Sequence, residues 1–322
     1  MTTEAGLRAQ CRRYAGFVVG SSVFDRLRRS MRRASNASRS DRAAAGAIVV
    51  GVDGSVKSLA AARWAADEAA GRGLTLRLVY AVDPADGAAA FPTALSRTAR
   101  QAQTVLDDAA QMVEAALGGV PIETCIVDKA PSQALVDAGD PATMICVGAS
   151  SVPAPPHPGH HASVITEIVL AANCPVTIVK AASVAKGWVV AEINNEPSAE
   201  DVLRTAIEEA LMRELPLRLV TGSQGQGDIS RLELHERIEH SLRHWRIHHP
   251  ELDALNVSSE WTLEQYLQRH AGDIALFVAP PRQLHDIGTI LHATAARALA
   301  TLDCPVTLCV NSADVGTPNS IR

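Results

Sequence analysis

The sequence predicts two tandem α/β domains, each built on a parallel sheet with helices on both faces. Three observations lead there. The segment Asn173-Cys174-Pro175-Val176-Thr177-Ile178-Val179 returns as Asp303-Cys304-Pro305-Val306-Thr307-Leu308-Cys309-Val310. Each copy follows an Ala- and Leu-rich helical run and ends in an apolar β-type run, and repetition of this kind fixes an architecture before any motif is read. The openings also match: Ala47-Ile48-Val49-Val50-Gly51-Val52-Asp53-Gly54-Ser55 against Trp188-Val189-Val190-Ala191-Glu192-Ile193-Asn194-Asn195-Glu196. Finally, a length of 322 residues suits two domains, each long enough to bury its own core.

Taken in order, residues 47–52 read as a buried strand. Ser55 is placed to cap a helix over 57–70, which Gly71 and Gly73 end. Leu59, Ala62, Ala66 and Ala69 give that helix its apolar face. A strand over 74–82 and an Asp/Gly/Ala/Pro-rich segment over 83–93 follow. A long helix over 96–117 then carries Leu106, Ala109, Ala110, Val113 and Leu117 on one side. Next come strand 121–127, a short helix from Pro131, strand 144–147, a Pro/His/Ser-rich loop over 149–162, helix 163–172 and strand 175–180. The second copy repeats this order. Its strands are expected near 187–193, 216–221, 253–258, 273–278 and 305–310, with helices near 198–213, 231–248, 262–270 and 287–302. Strands alternating with helices imply parallel sheets joined by right-handed crossovers.

The resulting organisation is an Arg-rich arm over 1–45, read as disordered; a first domain over 46–182; a second over 186–311; and a tail over 312–322. Aromatic residues make up 3% of the chain, so the cores must be built from Ala, Val, Leu and Ile. The net charge of −5 divides unevenly. The arm holds ten Arg against three acids, a balance of +7, which leaves −12 on the rest. An acidic body argues against nucleic-acid binding except through the arm. No run reaches the length of a membrane span. Cys11, Cys125, Cys146, Cys174, Cys304 and Cys309 form no CxxC pair and several sit in apolar runs. They read as reduced, buried cysteines of a cytoplasmic protein.

Ligands of open parallel sheets bind beyond the carboxyl ends of the strands. In the first domain that edge gathers Asp53, Val82 and Gly148, whose loop leads to Ser163 at a helix start. A Gly-containing loop opening a helix suits phosphate, and an Asp at the first strand end suits a base amine or a ribose hydroxyl. His157, His160 and His161 crowd one loop without an acidic or Cys partner at ligand-like spacing, so no metal site is assigned there. His240, His244 and His248 recur every four residues on one helix face. Such a row suits a transition metal or a pH response, and a solvated face is the plainer reading. The sequence shows no nucleophile elbow, Walker loop, HExxH or paired catalytic constellation, and no catalytic residue is assigned.

These residues resemble the universal stress protein family: Ile48-Val49-Val50-Gly51-Val52-Asp53-Gly54-Ser55, Cys146-Val147-Gly148, and Ala162-Ser163-Val164 before Cys174-Pro175-Val176. The resemblance spans about 47–310. It implies five-stranded sheets in 3-2-1-4-5 order that pair through their fifth strands, either within one chain or in a homodimer. It also implies ATP at the first domain, with Asp53, Val82, Gly148, Ser151, Ser163 and Val164 as the binding residues. The chain departs from the family's ATP pattern, which has Gly at three loop positions. Gly148 keeps the first, Ser151 takes the second and Ala162 the third. The second domain departs further: Asn194 replaces Asp53, the loop reads Ala279-Pro280-Pro281-Arg282, and His292-Ala293 stands where Gly-Ser should be. Three functions follow as expectations: a nucleotide-responsive stress regulator with a structural second domain, a nucleotide-free interaction scaffold, or an adenylate-handling hydrolase.

Overall fold

The computed structural model describes residues 11–14, 46–83, 92–140, 142–149, 164–180, 186–195, 198–221, 228–257, 263–280 and 302–309. The chain divides into two units, Met1–Gly148 and Ala149–Arg322.

The first unit holds β1 (Cys11–Tyr14), β2 (Ile48–Gly51), α1 (Val56–Arg72), β3 (Leu76–Val82), α2 (Pro92–Leu117), β4 (Ile122–Asp128), α3 (Pro131–Gly139) and β5 (Met144–Gly148). Its strands lie in the order β1-β4-β3-β2-β5, all parallel except β1, which runs antiparallel to β4. Ile48, Val49 and Val50 are fully buried, as expected of a central strand covered on both faces. Helix α1 covers the sheet with small residues: Ala61, Ala62, Ala65, Ala66 and Ala69 are each 0% exposed. It stops where Gly73 takes a left-handed φ of 67°, and the Gly73 and Leu74 N–H groups donate to the carbonyls of Ala70 and Ala69.

The second unit holds α4 (Val164–Ala171), β6 (Val176–Val179), β7 (Trp188–Ile193), α5 (Ala199–Arg213), β8 (Leu217–Thr221), α6 (Asp228–His248), β9 (Ala254–Val257), α7 (Leu263–Arg269), β10 (Ile274–Ala279) and β11 (Val306–Leu308). Its strand order is β9-β8-β7-β10-β11-β6. The five strands of the second repeat therefore lie in the order 3-2-1-4-5, mutually parallel. Strand β6, which carries the first copy of the Cys-Pro-Val-Thr signature, runs antiparallel to β11, which carries the second. The equivalent residues Thr177 and Thr307 face each other in this ladder. Their hydroxyls, both fully buried, are hydrogen-bonded at 2.8 Å.

Both repeats bury one carboxylate on their first helix. Glu68 is paired with Arg72 at 2.5 Å, and Glu209 with Arg213. Neither glutamate has exposed side chain. Helix α5 ends like α1, with Glu214 taking the left-handed position (φ 54°) that glycine fills in the first copy.

Two expectations change. Part of the arm, Cys11–Tyr14, is a strand on the edge of β4, and the remainder of 1–45 lies outside the described residues. Cys125 is disulfide-bonded rather than reduced. The β1–β4 ladder sets Cys11 opposite Cys125. Cys146, Cys174, Cys304 and Cys309 are buried and in no disulfide, as expected.

Candidate functional site

Strand registers assemble the first unit's carboxyl edge. Gly51 pairs with Val79 and Val50 with Cys146. Carried past the strand ends, these ladders set Asp53 level with Ala81 and beside Val82, and set Val52 level with Gly148. Asp53 is exposed, Val82 and Gly148 half-buried.

Asp53 is held by its own loop. Its carboxylate accepts the Ser55 N–H at 2.9 Å, and its backbone N–H donates to Ser58 Oγ at 3.3 Å. Ser55 in turn caps α1 by accepting the Ser58 N–H at 3.2 Å, and Ser58 Oγ donates to the Ser55 carbonyl at 3.0 Å. Partial burial opposes ionisation of Asp53, but hydrogen bonds involving Ser58 and Ser55 outweigh it and keep its carboxyl below the ordinary range. Asp53 is therefore an anion at neutral pH, suited to accept hydrogen bonds rather than to donate a proton.

Gly148 is confined by packing. A Cβ there would lie 2.4 Å from the carbonyl carbon and oxygen of Lys57 and 2.7 Å from the Ser58 N, so β5 can end against the first turn of α1 only as glycine. Gly54, at φ 85°, makes the turn between Asp53 and the cap. Sequence reasoning missed Ser58, which is 5% exposed and ties Asp53 to α1. Its signal was present as the serine three residues after the capping Ser55.

Ser151 and Ser163 lie outside the described residues, as do the His157–His161 cluster, Arg282 and His292. Val164 opens α4 in the second unit with 42% exposure.

The second unit's edge differs at each equivalent position. Glu192, 5% exposed, replaces Gly51, where a Cβ would come 2.8 Å from Leu135 Cδ1. Asn194 replaces Asp53, and Asn195 Oδ1 accepts from Arg237 at 3.5 Å. The β7–β10 register, Ala191 against Val278, puts buried Pro280 where Gly148 stands in the first unit. Ser198 begins α5 without a side-chain capping bond, and its buried Oγ has no partner among the described residues. Cys304 and Cys309 offer no nucleophile, because burial pushes both thiols up to about 12. No group of three or more His, Cys, Asp or Glu among the described residues is arranged to hold a metal ion.

Comparison with known proteins decides the family. Residues 45–180 match the Universal stress protein family. Universal stress protein Rv3134c of Mycobacterium tuberculosis is 35% identical over 259 residues, covering 77% of this chain and 93% of that protein. The chain belongs to the universal stress protein family.

A second relative from the same organism, universal stress protein Rv2028c, is 33% identical over 231 residues, 68% of this chain and 80% of the relative. A universal stress protein crystal structure from Archaeoglobus fulgidus superposes over 84% of this chain and 97% of its own, with a TM-score of 0.67 at 16% identity. That likeness speaks for the universal stress protein fold. Family membership brings with it a stress-response role. No helix among the described residues is long and apolar enough to cross a membrane.

Proposed function

We propose that this universal stress protein is a regulator whose first repeat binds an adenine nucleotide, ATP first among them, at the carboxyl edge of its sheet. The second repeat serves as its structural partner. The observation that carries this reading is Asp53: an exposed, ionised carboxylate on a hydrogen-bonded turn, level with the end of β3 and beside the strand that ends at Gly148. An acceptor fixed by its own loop can take hydrogen bonds from a ribose or an exocyclic amine without reordering. The second repeat presents an amide and a proline at the same places, and Pro280 supplies no N–H.

A specific observation favours the nucleotide-free scaffold as the second reading. The Ser55 and Ser58 N–H groups, which would face an anion at the start of α1, are already taken by Asp53 and Ser55. Calorimetric titration of the full chain with ATP separates the two. Saturable binding that Asp53→Ala abolishes supports the nucleotide reading. Absence of binding at millimolar ATP overturns it in favour of the scaffold, and equal binding by the variant overturns the assignment of the site to Asp53.

A further inference from the structure

Helix α6 buries Leu234, Ile238 and Leu242 and turns His240, His244 and His248 to solvent. Residues four apart on a helix are neighbours on its surface. Here the neighbouring imidazoles have a particular geometry. The His244 and His248 rings are 5.3 Å apart between centroids and inclined at 56°. Zinc–imidazole bonds are about 2.0–2.1 Å long, so two rings on one tetrahedral ion have centroids roughly 5 Å apart. The pair thus already stands at chelating separation.

The tautomer is also set. His248 Nδ1 lies 3.3 Å from the His244 carbonyl oxygen. A carbonyl only accepts, so Nδ1 carries the proton and Nε2 keeps its lone pair. A metal-ligating histidine commonly donates its other N–H to a carbonyl in this way. His249, by contrast, turns aside to stack on Trp245 at 5.7 Å and to meet Glu251 at 3.3 Å. His240 stands one turn before His244 on the same exposed face. Paired imidazoles select borderline divalent transition metals over Mg²⁺ or Ca²⁺, which prefer oxygen ligands.

We propose that His244 and His248 form a two-imidazole chelate for a borderline divalent transition-metal ion such as Zn²⁺, with the remaining coordination positions open to solvent. The site is independent of the nucleotide reading.

The test is calorimetric titration of the full chain with ZnCl₂, and with MgCl₂ for comparison. Both histidines are exposed, so alanine variants should keep the parent's circular dichroism spectrum. The proposal expects saturable Zn²⁺ binding, no Mg²⁺ binding, and at least a tenfold loss of affinity in His244→Ala and in His248→Ala. A variant with His157, His160 and His161 all changed to Ala should retain the parent's Zn²⁺ affinity at the α6 site. Failure of the parent to bind Zn²⁺, parent-like affinity in the double variant His244→Ala/His248→Ala, or loss of all binding in the triple loop variant would each overturn it.

Discussion

At the carboxyl edge of the first unit, β2 is followed by an exposed aspartate on a self-bonded turn, and a glycine ends the neighbouring strand. The second edge has an asparagine and a buried proline at those places, and a buried glutamate where the first has Gly51. Below the edges the repeats remain alike. Each first helix buries one glutamate against the arginine four residues on, and each ends with two backbone bonds around a left-handed residue. The repeats have diverged where a ligand would sit and held where the helix meets the sheet.

The comparison can be tested first at its common part. Arg72→Met and Arg213→Met each leave a fully buried glutamate short of its guanidinium, and removing one member of a buried pair costs about 3–5 kcal/mol. Urea denaturation of both variants should show losses of similar size; a loss in one alone would break the equivalence of the repeats. Gly148→Ala comes next. Its methyl would press on the Lys57 backbone, and overpacking of this kind costs about 1–3 kcal/mol. If packing is the reason for glycine, thermal stability and ATP binding fall together. Full stability with lost binding would instead assign the glycine to the ligand.

The helix starts give a smaller contrast of opposite sign. Ser55→Ala removes a capping acceptor and should destabilise by about 1 kcal/mol. Ser198→Ala removes a buried hydroxyl that bonds nothing among the described residues, and should be neutral or stabilising by up to about 1 kcal/mol. Equal losses in chemical denaturation would show that Ser198 caps α5 after all. The smallest effect is at Asp53. Its carboxyl titrates below the ordinary 3.8, so its ionised form stabilises the fold above that value, and the contribution fades as pH falls through the folded value. Between about pH 5 and about pH 3, Asp53→Asn should lose less stability than the parent. Parallel losses in denaturation at the two pH values would mean that the Ser55 and Ser58 bonds do not favour the charged form.

Much of this architecture was legible in the sequence. The apolar runs placed β2, β7 and β10 to within a residue or two, because parallel strands covered on both faces must be continuously hydrophobic. Asp53 and Gly148 were legible as edge residues because each directly ends an apolar run. The packing reason for Gly148 was not: it depends on a backbone contact with Lys57, far away in sequence, that no local pattern encodes. Glu68 and Glu209 were equally hidden, since helical periodicity marks apolar positions as buried and reads an acid as exposed, whereas the arginine one turn on is what makes burial tolerable. The strand at Cys11–Tyr14 carries three polar or charged residues in four, too little pattern to stand out from an Arg-rich arm.

The hydroxyl contact between Thr177 and Thr307 has one more consequence. Both threonines belong to a single polypeptide, so their strands meet at an effective concentration set by the intervening chain and do not separate on dilution. In a symmetric pair of identical chains, every substitution appears on both sides of such a seam at once. Here each side is encoded separately. One half is free to drift while the other is kept, and a single mutation tests a single copy.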